Sequence, residues 1–303
     1  MNPTVTIVVS ALNEEQNIAS FISSALMQKQ VGFKLENIWI FSDGSTDSTV
    51  DVVNSFNNKI IKVFTSIKSK GKAYQLNRAF GLLKSDILVQ SDADIVFAHP
   101  HVLRDLLNPL NSSIDIMMVG GNPVPITATT FTEKAINLTT EAYRYAKDTY
   151  KKGNNIYTVS GTLLAFKKKF IKNIKLPKEV IAEDVYLYYS CLKKGFKYKY
   201  SRTAMIYYRS PQTLSDQIKQ NTRFMASERL MNIYFPAELV KKESYLPQKP
   251  LVKKMLGIFL RHPLHSAYIY TVNKYCQYIG KKQKDLSSLS WQVTSTKNSI
   301  TGS

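Results

Sequence analysis

The sequence is poor in the residues that staple or metallate small proteins. It has two cysteines in 303 residues, Cys191 and Cys276, and neither stands in a C-x-x-C pair. That argues against a disulfide framework or a structural zinc site and suits a reducing compartment. The histidines His99, His101, His262 and His265 form no evident metal set with the carboxylates. There is no uninterrupted apolar run of the ~18 residues that marks a spanning helix. The nearest stretch, 255–272, is broken by Arg261, His262, Pro263 and His265, and reads as a core helix pair or an interfacial segment. No secretory leader is visible, because the chain passes almost directly into a strand-like run at 5–9. Acids are scarce in the second half: residues 166–303 hold 26 Lys+Arg and 8 Asp+Glu, against 15 and 14 in residues 1–165. That half is built to face an anion such as nucleic acid, an acidic lipid surface or a phosphate-bearing substrate. The chain carries no recognised nucleic-acid motif, and its aromatics sit at core-like spacing, so nucleic acid is not expected.

What is present is enough for a substantial core, with 44% hydrophobic and 21% charged residues. Apolar runs at 4–10, 37–42, 59–64 and 86–90 read as strands. Amphipathic stretches at 14–27, 48–56 and 72–83 read as helices between them, the second capped by Ser45 or Thr46. Such alternation with short links predicts an α/β fold, a mainly parallel central sheet with helices on both faces. The later chain is less regular: strand-like at 114–119, 157–166 and 196–208, helical at 132–151, 183–194 and 212–233. The composition shifts near 236 to a basic, amphipathic C-terminal helical extension, 236–303, whose tail from about 281 is polar and expected to be mobile apart from Trp291. No internal repeat or low-complexity segment is found.

In parallel sheets, ligands bind beyond the carboxyl ends of the strands, and the chemistry-bearing residues fall there. Asp43 ends the second strand. With Ser45, Thr46 or Asp47 available as caps, it is left free to accept a hydrogen bond from a nucleobase. Asp92-Ala93-Asp94 follows the fourth strand. Two carboxylates aimed the same way suit a hard divalent cation that also takes substrate phosphates. Lys72 opens a helix after Gly71, where backbone amides and the ammonium suit a diphosphate. Glu183-Asp184 opens another helix, whose dipole favours an ionised acid able to accept a proton. Gln220, Arg223 and Phe224 share one helix face.

In order over about residues 4–235, these pieces resemble a family-2 glycosyltransferase with the GT-A fold. The matching segments are Val8 to Glu15, Phe41-Ser42-Asp43-Gly44-Ser45-Thr46-Asp47, Lys70-Gly71-Lys72-Ala73, Ser91-Asp92-Ala93-Asp94, Ser160-Gly161-Thr162, Glu183-Asp184 and Gln220-x-x-Arg223-Phe224. The resemblance implies an inverting transfer from a nucleotide-diphosphate sugar, UDP-linked, to a hydroxyl of a glycan or lipid-linked acceptor. It implies donor contacts from Ser10, Asn13, Glu14, Asp43, Lys72 and Asp92, a metal ligand in Asp94 for Mg²⁺ or Mn²⁺, and Asp184 as base. It places Gly161, Thr162, Glu183, Gln220, Arg223 and Phe224 at the acceptor and diphosphate. On this reading 1–120 holds the donor and 121–235 the acceptor, in a cytoplasmic enzyme peripheral on the inner face of an anionic membrane. Three departures stand out: one acid at Ser42-Asp43 where a pair is usual, Phe224 where tryptophan is usual, and none of the spanning helices of relatives that polymerise and export chains. A polyprenyl-phosphate glycosyltransferase is the nearest alternative. A nucleotidyltransferase would share the Asp92-x-Asp94 logic.

Overall fold

Period-two alternation gives the first strand its two buried faces, and the rest of the sheet grows from it. In the computed structural model, which describes residues 2–282, the elements run β1 (Thr4–Ala11), α1 (Ile18–Leu26), β2 (Lys34–Ser42), α2 (Thr49–Ser55), β3 (Ile61–Thr65), α3 (Lys72–Leu82), β4 (Ile87–Asp92), β5 (Ile95–Phe97), α4 (Val102–Ser112) and β6 (Ile116–Pro125). They continue with α5 (Phe131–Thr149), β7 (Leu163–Lys167), α6 (Lys168–Ile171), α7 (Glu183–Lys193), β8 (Lys197–Tyr208), α8 (Leu214–Tyr234), α9 (Ala237–Glu243), α10 (Gln248–Arg261) and α11 (Pro263–Lys282). Two short 3₁₀ turns, Tyr150–Gly153 and Ile156–Thr158, follow α5.

The described chain divides into two compact units. One holds the residues up to Val124 and Val159–Tyr208, the other Pro125–Thr158 and the chain from Arg209 onward. In the first, an eight-stranded sheet has the order β3-β2-β1-β4-β7-β6-β8-β5. The strands β3, β2, β1 and β4 pair in parallel. β7 runs antiparallel to β4 and β6 antiparallel to β7, so β6 shares the direction of β4; β5 and β8 are antiparallel to each other, so one of them joins that direction and six of the eight strands point one way. Val5, Ile7, Val9 and Ala11 pack in one cluster with Ile18, Phe21 and Ile22 of α1, Val53 of α2 and Leu103 and Leu106 of α4. The alternate residues face the other way, where Arg78 of α3 lies 5.4 Å from the Phe41 ring centre. Helices therefore cover both faces.

Several local expectations are corrected by hydrogen bonding. The helix expected from Glu14 begins at Ile18, because Asn13, Glu14 and Glu15 are bonded to the loop after β2. Neither Ser45 nor Thr46 caps α2; both bond Asn13, and Asp47 accepts the Thr49 amide at 3.0 Å. The strand expected at 157–166 is confined to Leu163–Lys167. Before it, the Asn155 and Thr158 side chains bond nearby carbonyls and hold turns instead. Helix α4, unassigned in the sequence, contains Pro109. The carbonyl that proline leaves unbonded, that of Asp105, accepts Ser201 Oγ at 2.7 Å.

In the second unit, α5 opens with a capping box between Thr130 and Glu133. Glu133 also accepts the buried Arg209 guanidinium at 3.0 Å. Helix α10 packs Leu251 and Ile258 against Ala142 and Ala146 of α5. Helices α8 and α11 are joined by Asn221–Asn273 at 2.9 Å and by Tyr268 to Gln217 at 3.0 Å. The 255–272 stretch is thus shared between two helices broken at Pro263. Both cysteines are free and buried. Among the described residues no helix is long and apolar enough to cross a membrane. Trp291 and the tail expected to be mobile lie outside the described residues beyond 282.

Gly44, at φ +83°, turns the chain out of β2, and a Cβ there would sit 2.8 Å from the Ser69 amide nitrogen. Gly44→Ala should combine left-handed strain with a backbone clash and cost about 2–4 kcal/mol. Urea unfolding of the two proteins measures this, and an unchanged midpoint would refute the turn's role.

Candidate active site

The carboxyl ends of β1, β2 and β4 carry the residues that the motifs single out, and the loops there are laced together. The Asn13 amide donates to Ser45 Oγ at 3.1 Å and its side-chain oxygen accepts the Thr46 amide at 2.8 Å. The Ser48 amide bonds Glu15 and the Glu14 amide bonds Thr49 Oγ1, at 2.9 and 2.8 Å. Asn13 holds this shape in the left-handed region, φ 57°, which asparagine tolerates better than most residues. Ser10 lies beside Asp92 in the parallel register, its hydroxyl buried and without a partner.

Asp43 is not free, as the capping argument had it. It is 0% exposed. Its carboxylate accepts the Lys70 and Gly71 amides at 3.0 and 2.9 Å, Ser69 Oγ at 2.7 Å, and the Gln75 amide group. The amides expected to cradle a diphosphate before α3 are therefore bound to Asp43, which shapes the 66–71 loop from within.

Lys72 sits at the first position of α3, its ammonium 2.7 Å from both Asp92 Oδ1 and Glu183 Oε1. Burial alone would discharge it, but the two carboxylates outweigh that and hold its pKa well above the ordinary lysine value. Glu183 also receives Gln90 Nε2 at 3.3 Å. A Cβ on Gly161 would stand 3.0 Å from the Lys72 ammonium and 3.1 Å from Glu183, so a side chain there would press on the cluster and require those side chains to give by a few tenths of an ångström.

Asp184 is the neighbour of this cluster. Its two oxygens accept the Gly161 and Val185 amides at 2.9 and 2.8 Å. Burial first, then the charge of Glu183, pushes its carboxyl up to about 6, against the pull of Lys72 and the two amides. Thr162 closes the same corner: its carbonyl accepts Ser91 Oγ at 3.0 Å, and its hydroxyl lies 2.9 Å from Ser160 Oγ.

Asp92 ends β4, and Asp94 lies in the turn beyond it, so strand alternation no longer sets the direction of Asp94. They answer to different neighbours. Asp92 meets Lys72, whereas Asp94 acts on Glu14. The Glu14 carboxyl is pushed up to about 8 by burial, then by Asp94, with Asp92 and Asp47 adding to it against the Asn17 hydrogen bond. Such an excess of negative field from hard oxygen donors fits a divalent cation. No group of three or more His, Cys, Asp or Glu suited to a metal occurs among the described residues. A Mg²⁺ or Mn²⁺ held by Asp92 and Asp94 would thus need its remaining oxygens from phosphate and water.

Gln220, Arg223 and Phe224 lie on α8 in the second unit, where the Arg223 guanidinium is 5.8 Å from the exposed Phe224 ring. His99 binds the Thr203 carbonyl at 3.0 Å and the His101 amide at 3.3 Å, a loop role. Sequence reasoning missed Gln75 and Gln90. Gln90 was detectable, since a lone amide two residues before Asp92 in an apolar strand shares its face.

A family model, glycosyl transferase family 2, matches residues 6–175, more than half of the chain. The chain belongs to glycosyl transferase family 2. Among curated relatives, the Bacillus subtilis (strain 168) protein named "Probable glycosyltransferase YdaM" is 26% identical over 246 residues, covering 79% of this chain and 58% of its own. The poly-beta-1,6-N-acetyl-D-glucosamine synthase of Staphylococcus aureus (strain COL) is 23% identical, covering 78% and 58%. The chain thus spans less than two thirds of these relatives. Of solved structures, a Pyrobaculum calidifontis mannosyltransferase in complex with GDP-Man and Mn²⁺ superposes with TM-score 0.62 at 16% identity, covering 95% of this chain and 85% of that one. The Mycobacterium tuberculosis glucosyl-3-phosphoglycerate synthase with Mn²⁺, UDP and phosphoglyceric acid gives 0.54 at 19%, covering 74% and 77%. The fold is the α/β GT-A architecture of these glycosyltransferases.

Removing the Lys72 ammonium should strand two carboxylates. Lys72→Met is expected to cost on the order of 3 kcal/mol, the low end for a broken buried pair because the Asp92 side chain keeps 30% exposure. The raised lysine pKa keeps its contribution fully present below the ordinary value of 10.5. The deficit should therefore be plain at pH 7 and shrink as acid neutralises the carboxylates. Urea titrations at several pH values check it; a deficit that does not change with pH would point to packing alone.

Proposed function

We propose that the protein is an inverting glycosyltransferase that moves a sugar from a nucleotide-diphosphate donor, UDP-linked, to a hydroxyl of a glycan or lipid-linked acceptor. The observation that carries this is Asp184, a buried carboxylate held by two amides beside the Lys72–Asp92–Glu183 cluster. A base poised near neutral pH accepts a proton most efficiently. Asp184 would take the proton of the attacking hydroxyl as its oxygen forms the new bond to the anomeric carbon and the bond from that carbon to the diphosphate breaks. Lys72 neutralises Glu183 and Asp92, which keeps the Asp184 carboxyl from rising further. Asp92 and Asp94 would hold Mg²⁺ or Mn²⁺, which when bound offsets charge developing on the leaving diphosphate. Single displacement agrees with the pairing of the neighbouring carboxylates, Glu183 and Asp92, to Lys72. Two structural neighbours, one in complex with GDP-Man and Mn²⁺ and one with UDP and Mn²⁺, support donor class and metal. In this reading Ser10, Asn13, Glu14 and Asp43 shape the donor side. Gly161, Thr162 and Glu183 serve the acceptor and diphosphate; for Gln220, Arg223 and Phe224 of α8 that role rests on the resemblance of their motif alone.

Asp184→Asn should lower kcat by roughly 10²–10⁴, the usual worth of a general base, with donor affinity little changed. The raised pKa means that the base form disappears as pH falls through about 6 instead of through the ordinary 3.8. The wild-type kcat/KM profile should therefore drop below about pH 6, and Asp184→Asn should lack that limb. If Glu183→Gln abolishes turnover while Asp184→Asn is unaffected, the base is the other acid.

The metal makes a separate prediction. With few protein ligands, Mn²⁺ alone should raise the melting temperature little, and Mn²⁺ with UDP or GDP should raise it clearly, since a ligand of the native state stabilises it. Product formation that persists after EDTA has demonstrably stripped the metal would overturn metal dependence.

A further inference from the structure

The second unit bears an exposed apolar surface on α10. Helix α10 buries Leu251 and Ile258 against α5, and Lys254 on the same side reaches Glu141 at 2.9 Å. A helix that buries one stripe normally turns polar groups outward. On α10 the outward residues Val252, Met255, Leu256, Phe259 and Leu260 are apolar and exposed. They stand at i, i+3, i+4, i+7 and i+8, one continuous stripe along the helix. Leu264, just past α10, is 75% exposed. At about 100° per residue, Lys249 and Lys253 fall on the border of this stripe. From 244 to 282 the chain has seven Lys and Arg and neither Asp nor Glu.

The charge decides what such a stripe would meet. A second copy docked face to face would juxtapose two cationic segments with no acid on either, which like-charge repulsion opposes. An anionic lipid surface answers both features at once, taking apolar side chains below the headgroups and lysines among the phosphates. We propose that α10 is an in-plane anchor that seats the protein on an anionic membrane. It lies in the interface without crossing it, because no described helix is apolar enough to span. The inference is independent of the transfer chemistry, so either can fail without the other.

Flotation of the full chain with vesicles of phosphatidylglycerol and phosphatidylcholine in equal parts, at low and high salt, tests it. The protein is expected to float at low salt, to be released by high salt, and to stay behind with phosphatidylcholine alone. Leu256→Ser/Leu260→Ser should abolish flotation; both residues are exposed, and circular dichroism and the melting temperature verify the fold. Lys249→Glu/Lys253→Glu should weaken partitioning at least tenfold, since each basic residue is worth about fivefold. Failure to float at low salt, or flotation insensitive to both double variants, overturns the anchor. So does a dimer seen by sedimentation that the leucine variant dissolves without any flotation.

Discussion

An ammonium held between two carboxylates requires three chain segments to meet. Lys72 brings the start of α3 to the end of β4 through Asp92 and to the start of α7 through Glu183, each at 2.7 Å. The other features of the site follow from that triad. Gly161 lets the ammonium and Glu183 come close to the main chain, within 3.0 and 3.1 Å of where a Cβ would stand. Gln90 points its amide at Glu183. Asp184, next in sequence to Glu183, inherits both its repulsion and the attraction of Lys72, and so rests near 6 and not at the higher value that burial beside Glu183 alone would give. Buried charge is costly unless paired. Here the pairing leaves one carboxylate, that of Asp184, bonded only by main-chain amides and able to exchange a proton.

A second constraint shapes the donor side. Asp43 ties down the 66–71 loop through two amides, a serine hydroxyl and Gln75. Asn13 and Glu15 fasten the loop after β1 to the loop after β2. These bonds preorganise the strand ends so that binding would not have to order them. The repulsive group of Glu14, Asp92 and Asp94 then stands in a fixed frame, the arrangement that a divalent cation with phosphate oxygens would relieve.

The legible parts of the sequence are those with local causes. Strand alternation gave β1, β2, β3 and β4 within a few residues, and helical spacing gave α3, α5, α7 and α8. Asp43, Asp92 and Asp94 were singled out because parallel sheets expose their carboxyl ends to ligands, and Glu183 and Asp184 because they open a helix. The misreadings were non-local. Pro109 obscured α4, since nothing in its neighbourhood reveals that Ser201 serves the orphaned carbonyl. Glu14 was placed in a helix because its attachment to Thr49 cannot be read from its own window. The exposed stripe on α10 was visible only as a mixed apolar and basic segment until α5 was seen to take the opposite face.

By itself the sequence determined the α/β class and the parallel core, and it singled out candidate residues for acid–base and metal chemistry, because these depend on periodicity, composition and position at strand ends. Tertiary structure alone decided what each charge does. Whether Lys72 is available to a phosphate or locked between acids, whether Asp43 is open or enclosed, and what surrounds the Asp184 carboxyl are set by partners from 20 to more than 100 residues away along the chain. Electrostatic energies depend on distance and burial, and neither is a local property of the chain.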